Sequence, residues 1–358
     1  MKRNIIFFIP SIEGGGVEKN FYLLTKLISK NEKNLYVISA DKPTIKFKNV
    51  RYIYFKNKFL LSKGRFYKTI LCIILLIKHF AFKKNVILSF QSNILLLIFS
   101  KIFFFKTIIR LNTSLKKYID SRLKLFFFKF IYSFADEIIV NSYQFRKELI
   151  KINLKSKVIY NLINLDKAKF ELNFFKNFKY LKILNIGRLT PQKNQIILIK
   201  SLSLLKKKKI NFRCSIIGRG KLREKLKKCI RKYDLEKNVR LIGYKKNAET
   251  YMKNADVFVL TSLYEGLPNV LIEAQKNYIP IISSNCPTGP KEILLNGKLG
   301  ELFQVDDYKK LSNLLFKFNN NKKSLFKKRD LAIKYLNRFD LNLNSKKYLN
   351  LIKELSNE

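Results

Sequence analysis

The sequence predicts an α/β protein built from two doubly wound domains, and three observations carry that prediction. Short apolar runs of strand length alternate with longer helical stretches along most of the chain. The alternation is interrupted by a polar stretch without a clear period, from Asn161 to Phe178. The chain has 358 residues, 47% of them apolar, which is enough for two cores and more than one core usually organises. No short internal period is present, so repeat architectures are set aside.

The first strand is expected at Ile5 to Ile9, behind a basic start. Its apolar run is too short for a signal peptide and lacks a small-residue cleavage site, so it reads as the opening strand of the mature protein. Strands at Leu35 to Ser39, Val86 to Phe90, Thr107 to Leu111, Glu137 to Val140 and Val158 to Tyr160 continue a first domain over residues 1–165. Leu181 to Ile186 opens a second domain, residues 166–340, with further strands near Phe212 to Ile217, Val239 to Ile242, Val257 to Thr261 and Ile279 to Ser283. A Gly or Pro turn and a helix candidate follow each of these. Residues 341–358 read as a C-terminal helix returning to the first domain. Doubly wound sheets bind ligands at the carboxyl ends of their strands, which places the expected site in a cleft between the domains.

Composition removes several classes of function. The four cysteines, Cys72, Cys214, Cys229 and Cys286, lack metal-ligand spacing, and His79, the single histidine, sits in an apolar helical stretch and reads as structural. Zinc sites and disulfide scaffolds lack raw material, and a reducing, cytoplasmic setting follows. The net charge is +48, but Lys outnumbers Arg 59 to 14 and Asn, Ile and Phe are abundant, as AT-rich coding alone would produce. Its distribution says more. Residues 42–134 hold twenty Lys/Arg against one acid, Asp120, interleaved with sixteen Phe, a combination suited to an anionic membrane surface. A basic nucleic-acid-binding protein is the competing reading, but no binding motif or aromatic platform supports it, so no nucleic-acid partner is expected. The runs Thr69 to Ile77 and Ile94 to Phe105 are too short to span a bilayer.

Three motifs can carry chemistry. The segment Thr261-Ser-Leu-Tyr-Glu-Gly-Leu-Pro-Asn-Val-Leu-Ile-Glu-Ala274 joins a buried strand to a helix, so amides at the helix start can meet a phosphate. Glu265 and Glu273 flank that start, and carboxylates suit sugar hydroxyls as charged acceptors. The loop Asn185-Ile-Gly-Arg-Leu-Thr-Pro-Gln-Lys-Asn194 follows the first strand of the second domain and supplies Arg188 and Lys193. Two cations there can neutralise a departing diphosphate, the task a divalent metal performs elsewhere. The turn Glu13-Gly-Gly-Gly-Val-Glu18 lets backbone approach a ligand, yet it lacks both the GxGxxG spacing and the Walker lysine, so neither NAD nor ATP is supported.

The three motifs resemble those of the retaining GT-B glycosyltransferases. That family carries E-G-L/F-P-x-x-x-x-E-A, matched here at Glu265, Gly266, Leu267, Pro268, Glu273 and Ala274, and G-R-L-x-x-x-K-N, matched from Gly187 to Asn194. A softer match, Ile217-Gly-Arg-Gly-Lys-Leu222, departs from the family's G-D/E-G-P-L turn at Arg219 and Lys221. The block Ser283-Ser-Asn-Cys-Pro-Thr-Gly-Pro-Lys-Glu-Ile-Leu294 resembles transferases of bacterial surface polysaccharides. The resemblance implies a GT-B fold, two Rossmann-like domains facing a central cleft, and a metal-independent hexosyltransferase without cofactor. It implies catalytic roles for Arg188, Lys193 and Glu265. The implied donor site adds Gly15, Gly16, Gly243, Gly266, Leu267, Asn269, Val270 and Glu273.

The implied reaction moves a hexose or N-acetylhexosamine, with retention, from a UDP-sugar to a lipid-linked saccharide such as lipopolysaccharide, O-antigen, capsule or polyprenyl-diphosphate glycan. The implied place is the inner face of the cytoplasmic membrane, as a peripheral protein. Many relatives carry a histidine near the reacting carbon, where this chain reads Ile109-Arg-Leu-Asn-Thr-Ser114. Arg110, Asn112 and Thr113, with Glu18, are therefore the acceptor-side candidates, and none is a good neutral-pH base. A GT-B sugar-nucleotide epimerase is the alternative, and it lacks the acid and histidine constellation it would need.

Overall fold

A computed structural model describes residues 3–12, 14–55, 64–115, 119, 121–165 and 180–357. Glu13, Asp120 and most of the expected linker lie outside the described residues. The chain divides into two compact units, Met1–Ile163 with Phe339–Glu358, and Asn164–Arg338. The sequence reading had drawn these boundaries after residues 165 and 340.

The first unit holds a parallel sheet in the order β3-β2-β1-β4-β5-β6-β7. Its strands are β1 (Asn4–Phe8), β2 (Leu35–Ser39), β3 (Val50–Tyr54), β4 (Asn85–Ser89), β5 (Lys106–Leu111), β6 (Glu137–Val140) and β7 (Lys157–Val158). Helices cover both faces, which is why β1 and β4 are apolar without alternation. Ile6 and Phe8 pack against α2 (Arg65–Phe80) and α3 (Asn93–Ile102), while Ile5 and Phe7 pack against α1 (Gly16–Asn31). Beyond them α4 (Arg122–Tyr132) and α5 (Tyr143–Ile150) close over β5 and β6.

The second unit repeats the plan in the order β10-β9-β8-β11-β12-β13. These strands are β8 (Leu181–Ile186), β9 (Phe212–Ile217), β10 (Val239–Gly243), β11 (Val257–Leu260), β12 (Ile281–Ser284) and β13 (Glu301–Phe303). The helices are α6 (Gln195–Lys207), α7 (Arg223–Lys232), α8 (Glu249–Lys253), α9 (Asn269–Lys276), α10 (Pro290–Ile293), α11 (Tyr308–Asn320) and α12 (Lys323–Lys334). The sheets leave two strands that the sequence reading lacked, β3 and β13. Both are edges: β3 is only half-buried with Arg51 exposed at its second position, and β13 is three residues long, so neither presents a buried apolar run.

From the second unit the chain returns to the first. Phe339 is buried with its ring 5.0 Å from Tyr160, and Ile163 N–H donates to its carbonyl at 3.1 Å. Asp340 then caps α13 (Leu341–Asn357), accepting from the amides of Asn342 and Leu343 at 2.8 and 2.9 Å. Tyr348, Leu351, Ile352 and Leu355 fall on one side of α13 and join the core of Ile5 and Phe7. No helix among the described residues is long and apolar enough to cross a membrane.

Candidate functional site

Because every strand of the second sheet runs the same way, the loops after β8, β9, β10, β11 and β12 all emerge on one edge. The loop after β8 ends in a short turn, Pro191–Lys193, opened by a proline whose fixed φ suits it. Three hydrogen bonds fasten it to the loop after β11. Thr261 Oγ1 donates to the Lys193 carbonyl at 2.8 Å, Leu263 N–H to the Gln192 carbonyl at 2.8 Å, and Gln192 Nε2 to the Tyr264 carbonyl at 2.9 Å.

That fastening sets Lys193 Nζ 2.5 Å from Glu265 Oε1, with side-chain exposures of only 14% and 8%. Ser262 Oγ donates to the same carboxylate oxygen at 2.6 Å. The loop after β12 holds Glu265 from behind: its amide donates to the Pro287 carbonyl at 3.2 Å, and Thr288 Oγ1 donates to its own carbonyl. Glu265 therefore arrives at the edge already engaged. Burial in a medium of low dielectric makes such a pair costly to break from one side. Arg188 differs. It is exposed, and its guanidinium has no hydrogen bond or ion pair among the described residues.

Glycines make the crowding possible. Gly218 follows β9 at φ +154, and a Cβ there would lie 1.9 Å from the Gly187 carbonyl oxygen. At Gly289, φ +85, a Cβ would lie 2.4 Å from the Gly266 carbonyl oxygen. Gly266 and Leu267 are buried in the turn, and Asn269 and Val270 begin α9, whose first amides have no acceptor within the helix. Glu273 lies half-buried about a turn inside α9. Gly243, at φ +86, ends β10 beside Tyr244, over whose ring the Arg219 guanidinium sits at 5.2 Å.

Cys286 lies under this network, and burial first, then the charge of Glu265, push its thiol up to about 12. Burial also raises Cys72, Cys214 and the half-buried Cys229. None of the four is poised as a nucleophile. Iodoacetamide at pH 8 is expected to modify Cys229 alone in the folded protein and all four in denaturant; a second adduct on the native mass spectrum would contradict this placement. Among the described residues no group of three or more His, Cys, Asp or Glu is placed to hold a metal ion.

The candidates of the first unit are placed more variously. Gly15 is the N-cap of α1, its amide donating to Glu18 Oε2 at 2.8 Å, and Gly16 opens the helix. Glu18 is 6% exposed and also accepts from Gln91 Nε2 at 3.3 Å, so its carboxylate caps the helix. Arg110 is 2% exposed, donates to Asn161 Oδ1 and hydrogen-bonds Tyr348 of α13. These partners engage the Arg110 side chain inside the unit, where it ties the C-terminal helix to the sheet. Asn112 and Thr113 stay half-buried at the carboxyl end of β5, with Asn112 Nδ2 donating to the Phe90 carbonyl at 3.0 Å. His79 is exposed on the last turn of α2, not packed within it. Sequence reasoning passed over Ser262 and Thr288, which hold Glu265; both lie inside the quoted motifs, but only their spatial neighbours reveal the task.

Known proteins resemble this chain in the same regions. Residues 166–338 match the family described as glycosyl transferases group 1. An uncharacterised glycosyltransferase of Methanocaldococcus jannaschii is 38% identical over 193 residues, 51% of this chain and 47% of that protein. The Campylobacter jejuni N-acetylgalactosamine-N,N'-diacetylbacillosaminyl-diphospho-undecaprenol 4-alpha-N-acetylgalactosaminyltransferase is 29% identical over 201 residues, 54% of this chain and 53% of that protein. The chain thus spans about half the length of these curated relatives. In fold it is similar to Anabaena HepE, solved in complex with UDP-glucose, at a TM-score of 0.79 and 18% identity over 98% of this chain and 99% of that one. The two parallel sheets with surrounding helices are of the GT-B type.

Proposed function

We infer the reaction from the family: the chain belongs to the glycosyl transferases group 1, whose profile covers residues 166–338. The reaction proposed is transfer of a hexose or N-acetylhexosamine from a UDP-sugar to a lipid-linked saccharide at an anionic membrane surface, with retention and without a metal ion. One observation carries it most, the charge-balanced Lys193–Glu265 pair on the same edge as the exposed Arg188 and the start of α9.

In this reading the diphosphate lies over the start of α9, where the helix dipole favours an anion. Arg188 binds it directly. Lys193 exchanges part of its bond to Glu265 for the phosphate as negative charge grows on the leaving oxygen, so stabilisation increases toward the transition state. Glu273 accepts from the sugar hydroxyls. The acceptor oxygen bonds to the anomeric carbon on the face from which UDP departs, and its proton passes to the departing phosphate, so no protein nucleophile is required. Asn112 and Thr113 remain the acceptor-side candidates.

Support for the donor comes from the UDP-glucose in HepE, and for the acceptor from the diphospho-undecaprenol in the name of the Campylobacter relative. The test incubates the purified protein with UDP- and GDP-sugars and a membrane extract, with and without EDTA. Consumption of a UDP-sugar, unaffected by EDTA, with label entering the lipid fraction as the α-anomer from an α-linked donor, is the expected result. Consumption of no UDP-sugar, or loss of activity with EDTA, would remove the donor or the metal-free assignment respectively.

A further inference from the structure

We propose that the first unit docks on an anionic lipid bilayer through the outward sides of α2, α3 and α4. The inference rests on the membrane placement proposed above and names the surface that makes it. The three helices are neighbours on one side of the sheet, with α3 in the middle. Phe66, Ile70 and Ile74 form an exposed stripe along α2, and Ile94, Ile98 and Ile102 repeat the same spacing along α3. On α4, Leu123, Phe126, Phe127 and Phe130 are likewise exposed, with the exposed Lys124 and Lys129 set among them. A helix on a soluble domain turns its polar side to water, and single exposed apolar residues are ordinary. Three adjacent outward stripes are a different matter and mark an interaction surface.

The ends of α2 and α3 strengthen the case. Phe82 and Phe104 sit just past them at φ 58 and 54, a left-handed position that helix ends usually give to Gly or Asn. They are 81% and 83% exposed, the most exposed large apolar side chains among the described residues. The Phe104 turn is fixed by the Phe105 amide donating to the Ser100 carbonyl at 2.9 Å, and the Phe82 ring lies 5.6 Å from that of Phe103, so the two ends adjoin. A strained backbone that presents an aromatic ring to water gains nothing there; inserted among acyl chains it gains burial.

Charge selects the occupant. Exposed Lys78, Lys83, Lys84, Lys101, Arg122 and Lys124 are interleaved with the apolar side chains. A second copy would set this basic surface against its own like. Anionic lipid answers both features, taking the rings between acyl chains while the lysine stems reach headgroup phosphates.

Sedimentation of the full chain with phosphatidylcholine vesicles, with or without phosphatidylglycerol, tests the surface. Binding to the anionic vesicles is expected, weakening about tenfold or more in about 0.5 M salt. The triple substitution Phe82→Ser, Phe104→Ser, Phe126→Ser is expected to weaken it about tenfold or more, with melting temperature and gel-filtration volume unchanged. Equal binding by the triple variant would overturn the surface and leave the membrane placement standing. Failure of the parent to bind anionic vesicles would overturn both. A parent dimer that the triple variant converts to monomer would assign the surface to a second copy instead.

Discussion

Lys193→Ala is expected to lower kcat by about 10²–10³-fold at saturating UDP-sugar, the usual effect of removing one fixed donor from a developing anion. The same change strips a buried carboxylate of its ion partner, and breaking such a pair from one side costs on the order of 3 kcal/mol. The two effects separate in a second variant. Lys193→Met with Glu265→Gln removes both charges, keeps similar volumes and leaves Ser262 a neutral acceptor, so the melting temperature is expected to recover while the rate is not. Recovery of both would make the pair a structural brace with no part in the chemistry. Arg188→Ala, by contrast, removes a side chain with no partner among the described residues and is expected to raise KM and lower kcat without moving the melt.

Gly218→Ala is expected to have the largest effect on folding of the Gly→Ala changes at the described glycines. Its Cβ would enter the Gly187 carbonyl oxygen at 1.9 Å, and neither backbone can withdraw without moving the loop that carries Arg188. Overpacking of this kind, added to an unfavourable φ, destabilises by about 3 kcal/mol or more. In a domain of this size that lowers the melting temperature by about 6 °C or more. Gly243→Ala supplies the control, because its φ of +86 is equally unsuited to a side chain but no atom of the described residues lies within 4 Å of the added one. About 1 kcal/mol is expected there. Equal shifts in the two variants would show that backbone conformation, not the meeting of the loops, sets the requirement for glycine.

Much of the fold was legible because parallel strands covered on both faces must be apolar throughout, and those runs stand out against a lysine-rich background. Edge strands escape that rule, which is why β3 and β13 were missed. The motifs located the loops of the second unit, since a strand, a glycine turn and a helix start are all local features. Partnership is not local. Lys193 and Glu265 are separated by 72 positions, and in a chain with 73 basic side chains nothing in the sequence tells which cation is paired and which is left exposed. Arg110 shows the converse. It was a candidate because it falls in the stretch where relatives carry a histidine, while its partner Asn161 lies 51 positions away and Tyr348 far beyond that.

The return of the chain at Phe339 has a consequence for how the protein is made. Synthesis is vectorial, and domains tend to fold as their last residue emerges. The unit spanning Asn164–Arg338 is continuous and has all its strands before residue 339 is added. The unit that starts the chain is not, because Tyr348, Leu351, Ile352 and Leu355 supply one side of its core. Part of that core therefore stays uncovered on the ribosome while the later unit matures, and the order of folding reverses the order of translation. A ribosome that stalls anywhere in the second unit releases a first unit without its closing helix, an open apolar surface of the kind that chaperones and proteases recognise.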